Sequence, residues 1–235
     1  DMWPGPYGNW GSRKSLMASL DQSLVRMGLD YVDVFYSHRY DPETPLEETM
    51  QALVDIVRQG KALYVGLSRY PADKAEEAYR YLEARDVHCL LYQGRYNLFD
   101  RAPEEEGILG QARAYGVGFI AFSPLAQGLL TSRYLQGVPE DSRMAQGRFL
   151  KREVLTEAVL EKIKALDRVA AERGQTLAEM SLAWVLKDEL VTSVIIGASS
   201  VAQLEDNLKA LRKVDFSREE LDRIEAICHT PDGGQ

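Results

Sequence analysis

Cysteine is nearly absent: Cys89 and Cys228 stand alone in 235 residues, far apart, with no CxxC or other metal-type spacing. A reducing, cytoplasmic compartment is the expectation that follows. Cys89 lies in the apolar run CLLY, the setting of a buried thiol. Positive charge is also scarce: 28 Lys and Arg face 36 Asp and Glu, a net charge of −8, and no basic cluster offsets it. Such a surface repels phosphate backbones and anionic lipid, so neither nucleic acid nor membrane is an expected partner. No apolar run approaches the length of a membrane span, and no signal-peptide pattern opens the chain. The glycine fingerprint GxGxxG after a first strand is missing. The chain opens Asp1–Met2 rather than with Met, from which an upstream segment, removed or omitted, is expected.

What is present is an ordinary globular composition, 45% apolar and 27% charged, enough for one core and a single domain over 1–235. Short apolar strands alternate with amphipathic helices. Ser12 can cap a helix to Met27, with Leu16, Leu20, Leu24 and Met27 at helical spacing and Gly28 as the stop. A strand over 31–36 follows, then a helix carrying Leu46, Met50, Leu53 and Val57 on one face and stopping at Gly60. The cycle continues with strand 62–67, a helix near 72–84, strand 89–92, a helix near 105–115 and strand 118–122. A break from about 131 to 152, rich in Gly, Pro and charge, interrupts it. Helices 154–173 and 177–187, strand 192–197 and a helix near 201–211 come next. The last helix, 217–228, opens with a capping box, Ser217 with Glu220. The tail 229–235 is expected to be disordered.

Five strands separated by helices imply a parallel sheet in an α/β fold. An open doubly wound sheet and a (β/α)8 TIM barrel are the two solutions. Each strand ends in groups able to bind a ligand: Ser37-His38-Arg39, Ser68-Arg69-Tyr70, Gln93, Ser123-Pro124 and Gly197-Ala198-Ser199. A barrel gathers those ends on one face, where active sites are built; an open sheet strings them along a line. The barrel is therefore the expected fold, and this chain supplies its last five strands. At roughly 30 residues per βα unit, three further strands correspond to about 90 residues, so an N-terminal third is expected to be lacking here.

The strings YVDVFYSHR, GKALYVGLSRY, YQGRYNLFDR, GVGFIAFSPLAQGLLTSRY and SVIIGASSVAQLEDN, in this order, resemble aldo-keto reductases. The likeness is greatest to bacterial members that resemble potassium-channel β subunits, including the glyceraldehyde-3-phosphate/methylglyoxal-reducing type. It runs from about Ser12 to Asp215. In that family an Asp, a Tyr, a Lys and a His act on the substrate carbonyl, with NADPH (NADP+) as the redox partner. Only His38 matches a member of that set; Tyr7 and Lys14 do not match the Tyr and Lys in context. Without the resemblance, His38 reads equally as a strand-end histidine satisfying a hydrogen bond.

The resemblance also implies the cofactor contacts. Ser68 and Arg69 lie near the nicotinamide, Gln93 hydrogen-bonds its carboxamide, and the Phe122 ring stacks on it. Ser123, Pro124, Leu125, Ala126, Gln127 and Gly128 wrap the pyrophosphate with backbone N–H groups. Arg133 and Arg143 clamp phosphate. Gly197, Ser199, Gln203, Asp206 and Asn207 hold the adenosine and its 2′-phosphate at a helix N-terminus. Asp206 departs from the family's usual Glu and reaches about one methylene less. On residue type alone Phe122 is also a fair core aromatic, and the two arginines fair solvated charges. Trp3, Tyr40 and Tyr70 are candidates for the substrate mouth or for structural packing.

Two functions follow from the resemblance. One is NADPH-dependent reduction of small aldehydes or ketones, with this chain by itself expected to be inactive without the N-terminal Asp, Tyr and Lys segment. The other is a nicotinamide-binding regulatory or accessory subunit like the channel β subunits. A degenerate copy is a third reading. The expected partners are a small carbonyl substrate and, since relatives are often multimeric, further copies of the chain; no metal is expected.

Overall fold

The computed structural model describes residues 10–132, 135 and 154–229. Trp3, Arg133, Arg143 and the tail beyond His229 lie outside the described residues, as does most of the 131–152 break. Contacts divide the chain into two compact units, Asp1–Gly94 with Pro103–Ile120, and Arg95–Ala102 with Ala121–Gln235.

The first unit opens with α1 (Arg13–Met27), where the Ser12 hydroxyl accepts from the Ser15 N–H and Gly28 closes the helix in the left-handed region at φ 66°. Then come β1 (Val32–Ser37), α2 (Leu46–Arg58), β2 (Ala62–Ser68), α3 (Ala72–Glu83) and β3 (Cys89–Arg95). Two short helices, α4 (Ala102–Glu105) and α5 (Ile108–Ala114), precede β4 (Gly118–Phe122). β1 pairs parallel with β2, Val34 opposite Tyr64 and Ser37 opposite Leu67. β2 pairs parallel with β3, with a register shift between Val65 and Gly66. Helix α1 packs on α2, α2 on α3 and α3 on α5. Leu20, Leu24, Ile56 and Ala62 form one buried cluster, with Met17, Val32 and Phe35 against it. The two leucines and the isoleucine each contribute about 1.5–3 kcal/mol by leaving water, the alanine less. Farther along, Tyr92 and Phe119 stack with centroids 5.8 Å apart.

The helix expected over 105–115 is two helices. Gly107, at φ 75°, takes the left-handed region between them, which a continuous helix excludes. Strand β3 runs three residues beyond the expected CLLY, to Arg95.

The second unit holds α6 (Glu157–Glu172), α7 (Leu177–Val185), β5 (Ser193–Ile195), α8 (Val201–Leu208) and α9 (Arg218–Cys228). Strand order in the sheet follows chain order, β1-β2-β3-β4-β5. Helix α6 packs on α7 and α9, and α7 on α8. Arg173, just past α6, is 4% exposed. Its Nη2 donates to the carbonyls of Asp215 and Lys213, its Nε to Gln175, and its guanidinium lies 3.6 Å from the Phe216 centroid. Two capping boxes start helices here, Thr176 with Glu179 and Ser217 with Glu220. The helix expected over 201–211 ends at Leu208 and continues as a 3-10 turn over Lys209–Arg212.

Candidate functional site

In the first unit the parallel register decides what meets. Ser37, the last residue of β1, lies opposite Leu67, so His38 and Arg39 leave the sheet beside Ser68 and Arg69. Ser68 in turn pairs with Gln93. Ser68 is buried, Gln93 half-buried and His38 exposed. Partial burial, then the charges of Arg39 and Arg69, lower the His38 pKa below its ordinary value, so the imidazole is neutral near neutral pH. Arg69 holds φ 54°, a left-handed backbone that a non-glycine residue adopts at a cost of about 1–3 kcal/mol.

The aromatic candidates differ. Tyr40 meets Tyr70 edge-on at 5.6 Å. Tyr70 itself is 2% exposed, its hydroxyl 2.7 Å from Ser37 Oγ and its carbonyl accepting from the Tyr92 hydroxyl. Burial pushes the Tyr70 phenol up to about 12. Those contacts make Tyr70 part of the packing under the strand ends, not an open wall.

Two residues here escaped the sequence reading. Asp41 is buried and accepts from the Gly11 N–H, the Glu43 N–H and the Thr44 hydroxyl. The Asp-Pro pair in RYDPET signals a turn, but nothing local ties Asp41 to Gly11, 30 residues earlier. Trp10 has its ring 5.7 Å from the Arg39 guanidinium, a contact no local pattern announces.

In the second unit the turn after β4 carries unusual backbone. Ser123, Ala126 and Gln127 have φ of 54°, 47° and 59°, and Gly128 has 103°. Several non-glycine residues held in that region mark a place where surrounding structure over-determines the chain. Asn97 supplies part of the hold: only 2% exposed, it donates from Nδ2 to the Ser123 carbonyl at 3.0 Å. Sequence reasoning missed Asn97, since nothing local ties RYN to a turn 26 residues on. The N–H groups of Ala126, Gly128, Leu129 and Leu130 are taken by the turn's own carbonyls. They close the turn rather than face a ligand, unlike the expectation of a backbone N–H wrap at Ala126 and Gly128.

A cleft of about 300 Å³ is lined by Ser123, Pro124, Leu125, Gln127 and Gly128 from this turn, and by Gly197, Ser199 and Gln203 from the segment after β5. The Ser200 hydroxyl caps α8, accepting from the Gln203 N–H. The Gln203 side-chain carbonyl accepts from the Ser199 N–H at 2.7 Å and lies 3.0 Å from its hydroxyl. Gln127 Oε1 is buried with no hydrogen-bond partner, a state that costs about 1–3 kcal/mol until a donor arrives. Ala126 lines an adjoining cavity with Arg95, Asn97 and Asp100.

Three predicted residues stand apart from the cleft lining. Asp206 is exposed and paired with Lys209 at 2.6 Å. Asn207 is buried, 6% exposed, its Nδ2 without a partner. Phe122, half-buried, ends β4.

The profile described as Aldo/keto reductase family matches residues 2–229. The chain belongs to the aldo/keto reductase family. This aldo/keto reductase is 52% identical over 237 residues to a protein of Escherichia coli (strain K12) named L-glyceraldehyde 3-phosphate reductase, covering 99% of the chain and 68% of that relative. It is 38% identical to a protein of Oryza sativa subsp. japonica named probable voltage-gated potassium channel subunit beta, covering 96% of the chain and 70% of the relative. Among solved structures, a thermostable aldo-keto reductase in complex with the inhibitor epalrestat matches with a TM-score of 0.70 and 30% identity, over 92% of the chain and 67% of its own. The fold is thus that of the aldo-keto reductase (β/α)8 barrel, to which the described residues contribute five strands, and the chain is an oxidoreductase by family.

Proposed function

We propose that the chain acts in NADPH-dependent reduction of small aldehydes and ketones. The observation that carries this is the second-unit cleft, which brings the Ser123–Gly128 turn and the Gly197–Gln203 segment together; its orphaned buried acceptor, Gln127 Oε1, suits a ribose hydroxyl or an adenine amino group as donor. A pocket of this size with a few convergent polar groups suits part of a dinucleotide. The pyrophosphate and adenosine 2′-phosphate are assigned to that cleft, with Arg133 and Arg143 as their further cations. Asn207 Nδ2 is the remaining orphaned donor of the adenosine segment. Asp206, spent on Lys209, makes the weaker contribution that its short side chain implies.

When bound, reduced nicotinamide supplies the hydride for the carbonyl carbon. Ser68, Arg69 and Gln93 are assigned to its carboxamide end and Phe122 to its ring face. His38, neutral because burial and two arginines oppose its protonation, donates a hydrogen bond to the carbonyl oxygen and orients it. No residue of this chain is assigned as proton donor.

The L-glyceraldehyde 3-phosphate reductases among the relatives favour a short aldehyde as substrate. The similarity to channel β subunits favours a second reading, an accessory subunit that binds nicotinamide with little turnover. Fluorescence titration with NADPH, then absorbance at 340 nm with glyceraldehyde, separates them. Saturable NADPH binding is expected, with turnover confined to preparations that also carry the family's Asp, Tyr and Lys, and Ser199→Ala should weaken NADPH about 10-fold while leaving NADH affinity nearly unchanged. Binding without turnover in such a preparation favours the accessory subunit, and no binding removes both.

A further inference from the structure

The turn after β4 holds more donors than its own bonds consume. The Ala126 N–H donates to the Ser123 carbonyl at 2.9 Å. Those of Gly128 and Leu130 go to the Leu125 carbonyl, and that of Leu129 to the Ala126 carbonyl. Among the described residues, the Leu125 and Gln127 N–H groups have no acceptor, and both residues line the cleft of about 300 Å³. Leu125 sits at φ −98° and ψ 19°, and Ala126 follows at φ 47°. A right-handed residue followed by a left-handed one curls successive N–H groups round a concavity that suits an anion. Here the middle donor is spent and the outer two are left over.

Left-handed backbone at consecutive non-glycine residues persists only where something outside it holds it. Asn97, which is not in the cleft lining, is that hold. Its N–H and carbonyl exchange two hydrogen bonds with Asp100, each 3.1 Å, and its Oδ1 accepts from the Phe99 N–H at 2.9 Å. Asn97 is therefore fixed by its own turn before its Nδ2 reaches Ser123. The Ser123 carbonyl accepts from Asn97 and from the Ala126 N–H, which fills both its lone pairs. The bond from Asn97 thus anchors the acceptor that keeps the Ala126 N–H turned into the loop.

We infer that Asn97 is a positioning residue for the cofactor's diphosphate: through the Ser123 carbonyl it fixes Ala126, and so keeps the Leu125 and Gln127 N–H groups open to the ligand. This rests on the reading of the cleft as a dinucleotide site, and it adds a residue outside the cleft that sets its affinity. Asn97 itself touches neither cofactor nor substrate.

Titration of the purified chain with NADPH and, separately, with adenosine 2′-monophosphate, which has no diphosphate, tests this. Asn97→Ala should weaken NADPH about 10-fold and leave adenosine 2′-monophosphate unchanged. Asn97→Asp keeps the acceptor for Phe99 and loses only the donor, so it should weaken NADPH at least as much. A residue that merely supported the fold would weaken both ligands alike. Circular dichroism melts establish that each variant is folded. Hydrogen exchange on the wild type needs no variant: NADPH should slow the Leu125 and Gln127 amides, while Ala126 and Gly128, already bonded, are slow with and without it. NADPH affinity untouched by either substitution, equal losses for the two ligands, or unslowed Leu125 and Gln127 amides overturns the inference while leaving the cofactor reading standing. Failure of the wild type to bind NADPH at all overturns the cofactor reading, and the inference with it.

Discussion

His38 and Arg39 are neighbours in the chain, and the charge of one adds to the burial that holds the other neutral. The His38 pKa is held below 6.5 by burial first and by Arg39 and Arg69 after it. With a depressed folded pKa, the unfolded chain binds more protons between the two values. The contribution to stability is therefore present above the unfolded pKa and is lost as pH falls through the folded one. Imidazole NMR titration should place His38 below 6.5, and Arg39→Gln should move it up. A His38 that titrates at or above its ordinary value would remove the neutral donor assigned to it. Gly94 is a second residue-scale test: a Cβ there would meet the Phe119 ring at 2.7 Å, and Phe119 is fully buried. Gly94→Ala should cost about 1–3 kcal/mol in urea unfolding.

Among the elements, helix starts were the most legible because their chemistry is local. Ser12, and Ser217 with Glu220, cap as their spelling predicts. Thr176 with Glu179 carries the same pattern and was passed over, though its box is complete. Thr176→Ala should cost about 1 kcal/mol, read from the midpoint of urea unfolding; no change would mean the first turn of α7 is held by packing alone. The division at Gly107 was less legible, since a glycine inside a helical pattern is tolerated as often as it breaks one. Boundaries moved where packing, not propensity, set them: β3 extends through Gln93 because Ser68 pairs with it.

At the scale of the whole molecule, stability in acid depends on how carboxylates are held. Burial pushes the Glu220 carboxyl up, but the Ser217 N–H and the Arg173 guanidinium outweigh it and hold the pKa below 4.5. A depressed carboxyl contributes stability that is full above the unfolded value and lost as pH falls through the folded one. Glu220→Gln should therefore lower stability at pH 7 and shrink the difference between pH 7 and pH 3. Removing Arg173 is the larger lesion, because it leaves the two carbonyls that Arg173 caps without their donor; Arg173→Met should cost about 1–3 kcal/mol. Burial also pushes the Cys89 thiol up to about 12, so it should resist a thiol reagent until the protein unfolds.

The strand–helix alternation, the five strands and the capping signals were determined by the sequence itself, because periodicity and capping act over a few residues. The five ordered strings were enough to point to the family for the same reason, being local spellings. Tertiary structure alone decided the rest. It put Trp10 against Arg39, hung the Ser123 carbonyl on Asn97, and closed the Ala126 and Gly128 N–H groups into their own turn. It also turned Tyr70 inward and gave Asp206 to Lys209. Each of these is a contest between partners for one polar group or one buried volume, and the winner depends on what the fold brings within about 3–4 Å.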